Sequence, residues 1–103
     1  TLAIVMQVLV IGSGGREHAL AWKAAQDNDV ENVYVSPGNA GTALEEKVQN
    51  IEIDINDFAA IENFCVLENI GLVIIGPEKP LVDGLSDFLQ SKGRNTHRWL
   101  LFL

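Results

Sequence analysis

The chain is poor in cysteine, histidine and basic residues, and each scarcity removes a class of protein. A single cysteine, Cys65, has no partner for an internal disulfide, which excludes a disulfide-stapled scaffold within these 103 residues. Cys65 falls in an amphipathic helical stretch and reads as a buried, reduced thiol. With only two histidines beside it, there is no metal-ligand spacing of the zinc type. Seven Lys and Arg stand against 14 Asp and Glu, giving a formal charge of −7 and a pI near 4.5. That balance excludes the clustered basic footprint a nucleic-acid-binding domain needs, so any anion site must be built locally from backbone and one or two cations. No apolar run approaches the ~18 residues of a membrane span. The opening Thr1-Leu2-Ala3-Ile4-Val5 has neither a basic n-region nor a small-residue cleavage site, so it is not read as a signal peptide and the expected compartment is the cytoplasm. Met6 directly precedes the first strand, and residues 1–5 are read as an extension before an original start there.

What is present is ordinary globular material, 48% hydrophobic and 20% charged, enough for one small domain or part of a larger one. Residues 5–11 form an aliphatic run broken only by Gln7, the pattern of a strand buried on both faces. A helix is expected from Arg16 to about Gln26, with Leu20, Ala24 and either Ala21 or Trp22 facing a core. Val33-Tyr34-Val35 reads as a second strand, and Ile51-Glu52-Ile53-Asp54-Ile55 alternates in strand period, as a short strand or a loop edge. Asn56 or Asp57 caps a helix that Gly71 closes. Leu72 to Ile75 is another strand, followed by a helix from about Pro80 to Gln90 that Lys92-Gly93 ends. The tail from Arg94 to Leu103 is apolar enough for a last strand but ends abruptly. Strands alternating with helices predict an α/β fold with a parallel, Rossmann-like sheet, flanking helices and an incomplete C-terminus.

In such a sheet, ligands bind at the carboxyl ends of the strands, near the point where strand order reverses. Three notable loops follow strands and should converge there. In the first, Gly12-Ser13-Gly14-Gly15-Arg16-Glu17-His18, a glycine turn runs into a helix start, where unpaired N–H groups and the helix dipole favour an anion. Arg16 offers a guanidinium fork suited to phosphate oxygens, although a solvated first-turn position also accounts for it. Glu17 reads either as a favourable first-turn charge or as an acceptor for a substrate hydroxyl or amine. His18, without a second nearby ligand, has a structural reading as well as a functional one. The turn departs from the dinucleotide fingerprint G-x-G-x-x-G, because the third glycine position is Glu17 and the second strand ends without a ribose-binding acid. Nor is it a P-loop, since no Gly-Lys-Ser/Thr follows. The second loop, Pro37-Gly38-Asn39-Ala40-Gly41-Thr42, serves as a connector or as polar lining for a small ligand. In the third, Gly76-Pro77-Glu78-Lys79-Pro80-Leu81, two prolines stiffen the backbone around Glu78. No nucleophile–base pair and no catalytic residue are visible.

These three motifs, in order and at matching separations over residues 6–93, resemble the N-terminal domain of the phosphoribosylamine–glycine ligases. The resemblance implies a Rossmann-like domain preceding an ATP-grasp region, in an enzyme family of de novo purine synthesis. Such enzymes join glycine to 5-phosphoribosylamine with ATP and Mg or Mn, through a glycyl phosphate that the substrate amine attacks. Carried onto this sequence, Gly14, Gly15, Arg16, Glu17 and His18 would lie at the phosphoribosylamine end of the site, with Pro37, Gly38, Asn39, Glu78, Pro80 and Leu81 lining it. Residues 94–103 depart from the family, and the ATP-grasp region that completes the enzyme in cis is absent. The implied expectation is a substrate-binding part that alone is inactive and binds neither ATP nor metal, with phosphoribosylamine as its partner and no nucleic acid or membrane. Two other readings stay open: a free-standing phosphosugar- or nucleotide-binding module, and a fragment of a dinucleotide-binding oxidoreductase that takes NAD or FAD.

Overall fold

A computed structural model describes residues 6–76 and 84–93, together with the backbone of residues 96–98. Its elements run β1 (Met6–Gly12), α1 (Gly15–Ala25), β2 (Val30–Pro37), a 3-10 turn (Thr42–Leu44), β3 (Val48–Asn50), α2 (Phe58–Leu67), β4 (Ile70–Ile75), α3 (Leu85–Ser91) and β5 (Thr96–Arg98). All strand pairings are parallel, in the order β3-β2-β1-β4-β5. The α/β, Rossmann-like sheet expected from the alternation of elements is therefore present, and the strand order reverses between β1 and β4.

Side chains of a strand alternate between faces, and here both faces are apolar. Val8 and Val10 of β1 join Val33, Val35 and Ile74 under α1, whereas Leu9 and Ile11 join Val73 and Ile75 under α2 and α3. Ala21 and Ala25 are the buried alanines of α1, and Leu20 and Ala24 pack partly buried against the same core, as expected, while Trp22 points outward at 48% exposure. Of the two alternatives at that face the small one is chosen, because a helix lying directly on a pleated sheet has room for a methyl group and none for an indole. On the other side Ile61 and Cys65 of α2 and Leu85 and Leu89 of α3 are buried.

One expectation, the helix stop at Gly71, is corrected, and two alternatives left open by the sequence are decided. The alternating stretch 51–55 is not a strand. Its isoleucines turn inward to the core beneath α2 and α3 while Glu52 and Asp54 face out, but the ladder contact on this edge is made earlier, by β3 on Val33 to Val35. Alternation here marks an extended connector lying along the core edge, held by Ile51 N–H donating to the Val35 carbonyl at 2.9 Å and Ile53 N–H donating to Ser36 Oγ at 3.3 Å. Gly71 does not close α2. Asn69 does, at φ 53°, a left-handed position that asparagine tolerates, and Gly71 lies inside β4 where an added Cβ would stand 2.7 Å from Met6 Cγ. Of the two proposed caps it is Asp57 that accepts from Ala60 N–H, at 3.0 Å, and not Asn56. The described part of the last helix begins after Gly84, and β5 falls inside the segment 94–103 set apart in the sequence.

Candidate functional site

The carboxyl ends of β1, β2 and β4 bring the first two loops together at the reversal of strand order. Glu78, Pro80 and Leu81, expected from the third loop, lie outside the described residues. β1 ends in Gly12, which pairs with Pro37 at the end of β2, and Gly38 N–H donates to the Gly12 carbonyl at 3.1 Å. The Ser36–Pro37 peptide is cis. Beside them Gly76, at the end of β4, donates to the Ile11 carbonyl at 3.1 Å.

Glu17 occupies the crevice between these strand ends. It sits in the first turn of α1, yet its side chain folds back over the glycines and is only 6% exposed. Gly12, at φ 142°, makes room for it, since a Cβ there would overlap Glu17 Cγ and its carboxylate. A Cβ at Gly76 would come within 2.7 Å of the same Cγ. Arg16 spans the crevice, its Nε donating to Glu17 Oε2 at 3.3 Å and its Nη2 to the Gly76 carbonyl at 2.6 Å. Part of the guanidinium fork is thus engaged in tying α1 to the end of β4. The close backbone approach of the glycine turn accommodates the chain's own carboxylate, which is why the third position of a dinucleotide fingerprint is occupied by an acid.

Gly14 and Gly15 remain exposed at the start of α1, with Gly14 as N-cap and no side chain capping the turn. His18 turns to the second loop. Its Nε2 lies 2.9 Å from Glu45 Oε2, and its ring packs so closely on Gly41 that a Cβ there would stand 2.5 Å from Cε1. Asn39 acts as a clamp between loops: Nδ2 donates to the Ser13 carbonyl at 2.8 Å, and Oδ1 accepts from Thr42 N–H at 3.0 Å. Its main-chain N–H donates to Thr42 Oγ1 at 2.8 Å. Gly38, at φ 73°, lets the loop fold onto Asn50, whose Nδ2 donates to the Asn39 carbonyl at 2.9 Å and whose Oδ1 accepts from Thr42 Oγ1 at 2.6 Å.

Four polar residues that sequence reasoning did not single out therefore support the site: Ser36, Thr42, Glu45 and Asn50. Thr42 and Ser36 are fully buried, and Ser36 Oγ donates to the Ile53 carbonyl at 3.0 Å. The Asn39-x-x-Thr42 spacing is a readable turn signal. Nothing in the sequence marks Asn50 or Glu45, which arrive through the fold of the chain between β2 and β3.

A shallow depression of about 320 Å³ lies over Gly15, His18, Trp22 and Glu45, next to the glycine turn. A larger apolar groove of about 480 Å³ runs between α1 and β4, lined in part by Met6, Leu20, Ala24 and Leu72. It lies away from the carboxyl ends of the strands and holds none of the site residues named above. Among the described residues no group of three or more His, Cys, Asp and Glu could hold a metal ion, and no helix is long and apolar enough to cross a membrane.

Comparison with known proteins places this geometry. Residues 6–97 match the family model described as phosphoribosylglycinamide synthetase, N domain. The phosphoribosylamine–glycine ligase of Vibrio cholerae is 59% identical over 88 residues, which are 85% of this chain and 20% of that protein. The enzymes of the same name from Escherichia coli and Pseudomonas putida are 58% and 56% identical over 88 residues, with the same coverage. The chain thus spans about a fifth of the length of these relatives. With most of its length under one family model, and with its glycine-turn motif folded at the reversal of strand order, the chain belongs to the phosphoribosylglycinamide synthetase N-domain family.

Proposed function

We propose that this chain is the phosphoribosylamine-binding part of a phosphoribosylamine–glycine ligase acting in de novo purine synthesis. The observation that carries the reading is the convergence of the two described loops on a buried carboxylate, in a chain of this family. Ser13, Gly14 and Gly15 present backbone N–H groups at the positive end of α1, suited to the phosphate of a phosphosugar. Arg16 and Glu17 hold opposite charges at fixed positions beside them, and Asn39 keeps the second loop against the first.

The ligation joins the glycine carboxyl group to the phosphoribosylamine nitrogen. ATP transfers its γ-phosphoryl group to the carboxylate, the amine attacks the resulting glycyl phosphate, inorganic phosphate leaves and the nitrogen loses a proton. ATP and its divalent cation belong, on this reading, to the ATP-grasp region of the relatives. The described residues of this chain offer no cluster of metal-ligating side chains, and the glycine turn carries no P-loop lysine. Binding and orienting the amine substrate is the share of the work assigned to this chain, in the cytoplasm.

The test is a chimera in which this chain replaces the matching 88 residues of the Escherichia coli relative. Formation of glycinamide ribonucleotide from glycine, phosphoribosylamine and ATP within about tenfold of the parent is expected, and none from the 103-residue chain alone. A soluble, folded chimera without activity would overturn the assignment, and turnover by the chain alone would overturn its dependence on the remaining region.

A further inference from the structure

The crevice between β1 and β4 holds a carboxylate where a Rossmann-like turn ordinarily admits a phosphate. Glu17 is more than nine-tenths buried, and Arg16 satisfies Oε2. Among the described residues no donor reaches Oε1, which lies at the edge of the glycine turn, near the space above Gly14. A carboxylate seated in a crevice with one oxygen open at its edge accepts from an N–H or O–H donor and repels an anion. The glycines at 12 and 76 hold it there, because any side chain at either position would displace it.

We infer that Glu17 is a specificity determinant that fixes which way round a phosphosugar lies in the site. Its Oε1 accepts from the C1 amine or a ribose hydroxyl at the β1–β4 crevice, and its charge excludes the phosphate from that crevice. The phosphate is thereby directed to the exposed N–H groups of Ser13, Gly14 and Gly15 at the start of α1. This assignment rests on the phosphosugar reading above and adds to it the orientation of the ligand and the residue that sets it. It also gives Arg16 a role other than phosphate binding: the guanidinium positions the carboxylate and ties it to β4.

The experiment uses the 103-residue chain and Glu17→Gln, titrated by calorimetry or NMR with inorganic phosphate, ribose 5-phosphate and glycinamide ribonucleotide. Gln keeps the shape of Glu17 and removes its charge. Binding of both sugar phosphates should weaken at least tenfold in E17Q, while inorganic phosphate binds as well as before or better. Equal weakening of all three ligands would mean that Glu17 is only structural, and unchanged affinities would mean that it touches no ligand. Either result overturns the assignment while leaving the phosphosugar reading intact. Failure of the wild-type chain to bind either sugar phosphate would overturn both. Should E17Q lose its cooperative melt, Glu17→Asp, which withdraws the charge by one methylene, is read by the same pattern across the three ligands.

Discussion

Replacing Gly76 or Gly12 by alanine should destabilise the domain by different routes, and removing the Glu17 side chain should separate them. At Gly76 the new Cβ meets Glu17 Cγ at 2.7 Å and Cδ at 2.8 Å, so the cost is crowding of a buried side chain, about 1–3 kcal/mol. At Gly12 the same kind of overlap occurs, and the backbone at φ 142° is also closed to an L side chain. That strain adds about 1–3 kcal/mol, for a total of about 2–6 kcal/mol. A domain of this size is stable by about 5–15 kcal/mol, so G12A should leave it marginal. In a Glu17→Ala background the overlap vanishes. G76A should then cost no more than about 0.5 kcal/mol, whereas G12A should retain the strain of about 1–3 kcal/mol. Urea denaturation of the four single and double variants and their two parents, followed by far-ultraviolet circular dichroism and Trp fluorescence, gives the comparison. If G76A is as costly without the Glu17 side chain as with it, the glycines do not serve to seat this carboxylate, and the account of the crevice fails.

Three further outcomes are expected. Asp57→Ala removes the acceptor for Ala60 N–H and should cost about 1 kcal/mol, with faster amide exchange confined to the first turn of α2; D57N should recover most of it. Asn50→Ala removes the Nδ2 donor to the Asn39 carbonyl and the Oδ1 acceptor of Thr42 Oγ1; because Thr42 Oγ1 also donates to the Asn39 carbonyl at 2.9 Å, the cost should be about 0.5–1.5 kcal/mol, and hydrogen exchange at residues 38–42 should rise; unchanged exchange there would refute the network. The Tyr34 phenol titrates above its ordinary value of 10.0, first because burial disfavours the phenolate and then because its hydroxyl donates to Glu68. The unfolded chain therefore loses this proton first, so stability is intact below about pH 10 and falls as pH rises through the folded value. Tyr34→Phe should flatten that part of the alkaline denaturation profile, and because Tyr34 is the sole tyrosine its ionisation can be read directly by ultraviolet difference absorbance.

Much of the fold is legible along the chain because its strongest signals are local. The aliphatic runs of β1 and β4 have no solvent-facing residues to present, which requires helices on both sides of a parallel sheet. The glycine turn after β1 and the acid at Asp57 mark helix starts by the conformations and hydrogen bonds they allow at those positions alone. Where the local signal misleads, a longer-range requirement has taken over: residues 51–55 alternate because one side of an extended connector meets the core, and the strand itself forms where Val48 reaches Val33.

The site divides in the same way. Residue types and spacing determine that Gly14, Gly15, Arg16, Glu17 and His18 stand at a helix entry after a buried strand, and that Pro37, Gly38 and Asn39 follow a second one. Only the tertiary structure decides what the charges there do. Parallel pairing of β1 with β4 brings Gly12 and Gly76 side by side, opening the space into which Glu17 folds and placing a carbonyl within reach of Arg16. The fold between β2 and β3 likewise delivers Asn50 to Asn39 and Glu45 to His18. A side chain's neighbours across a sheet are set by strand order and register, which no local pattern encodes, and for that reason the sequence could offer Glu17 as an acceptor while the structure had to show where its carboxylate lies.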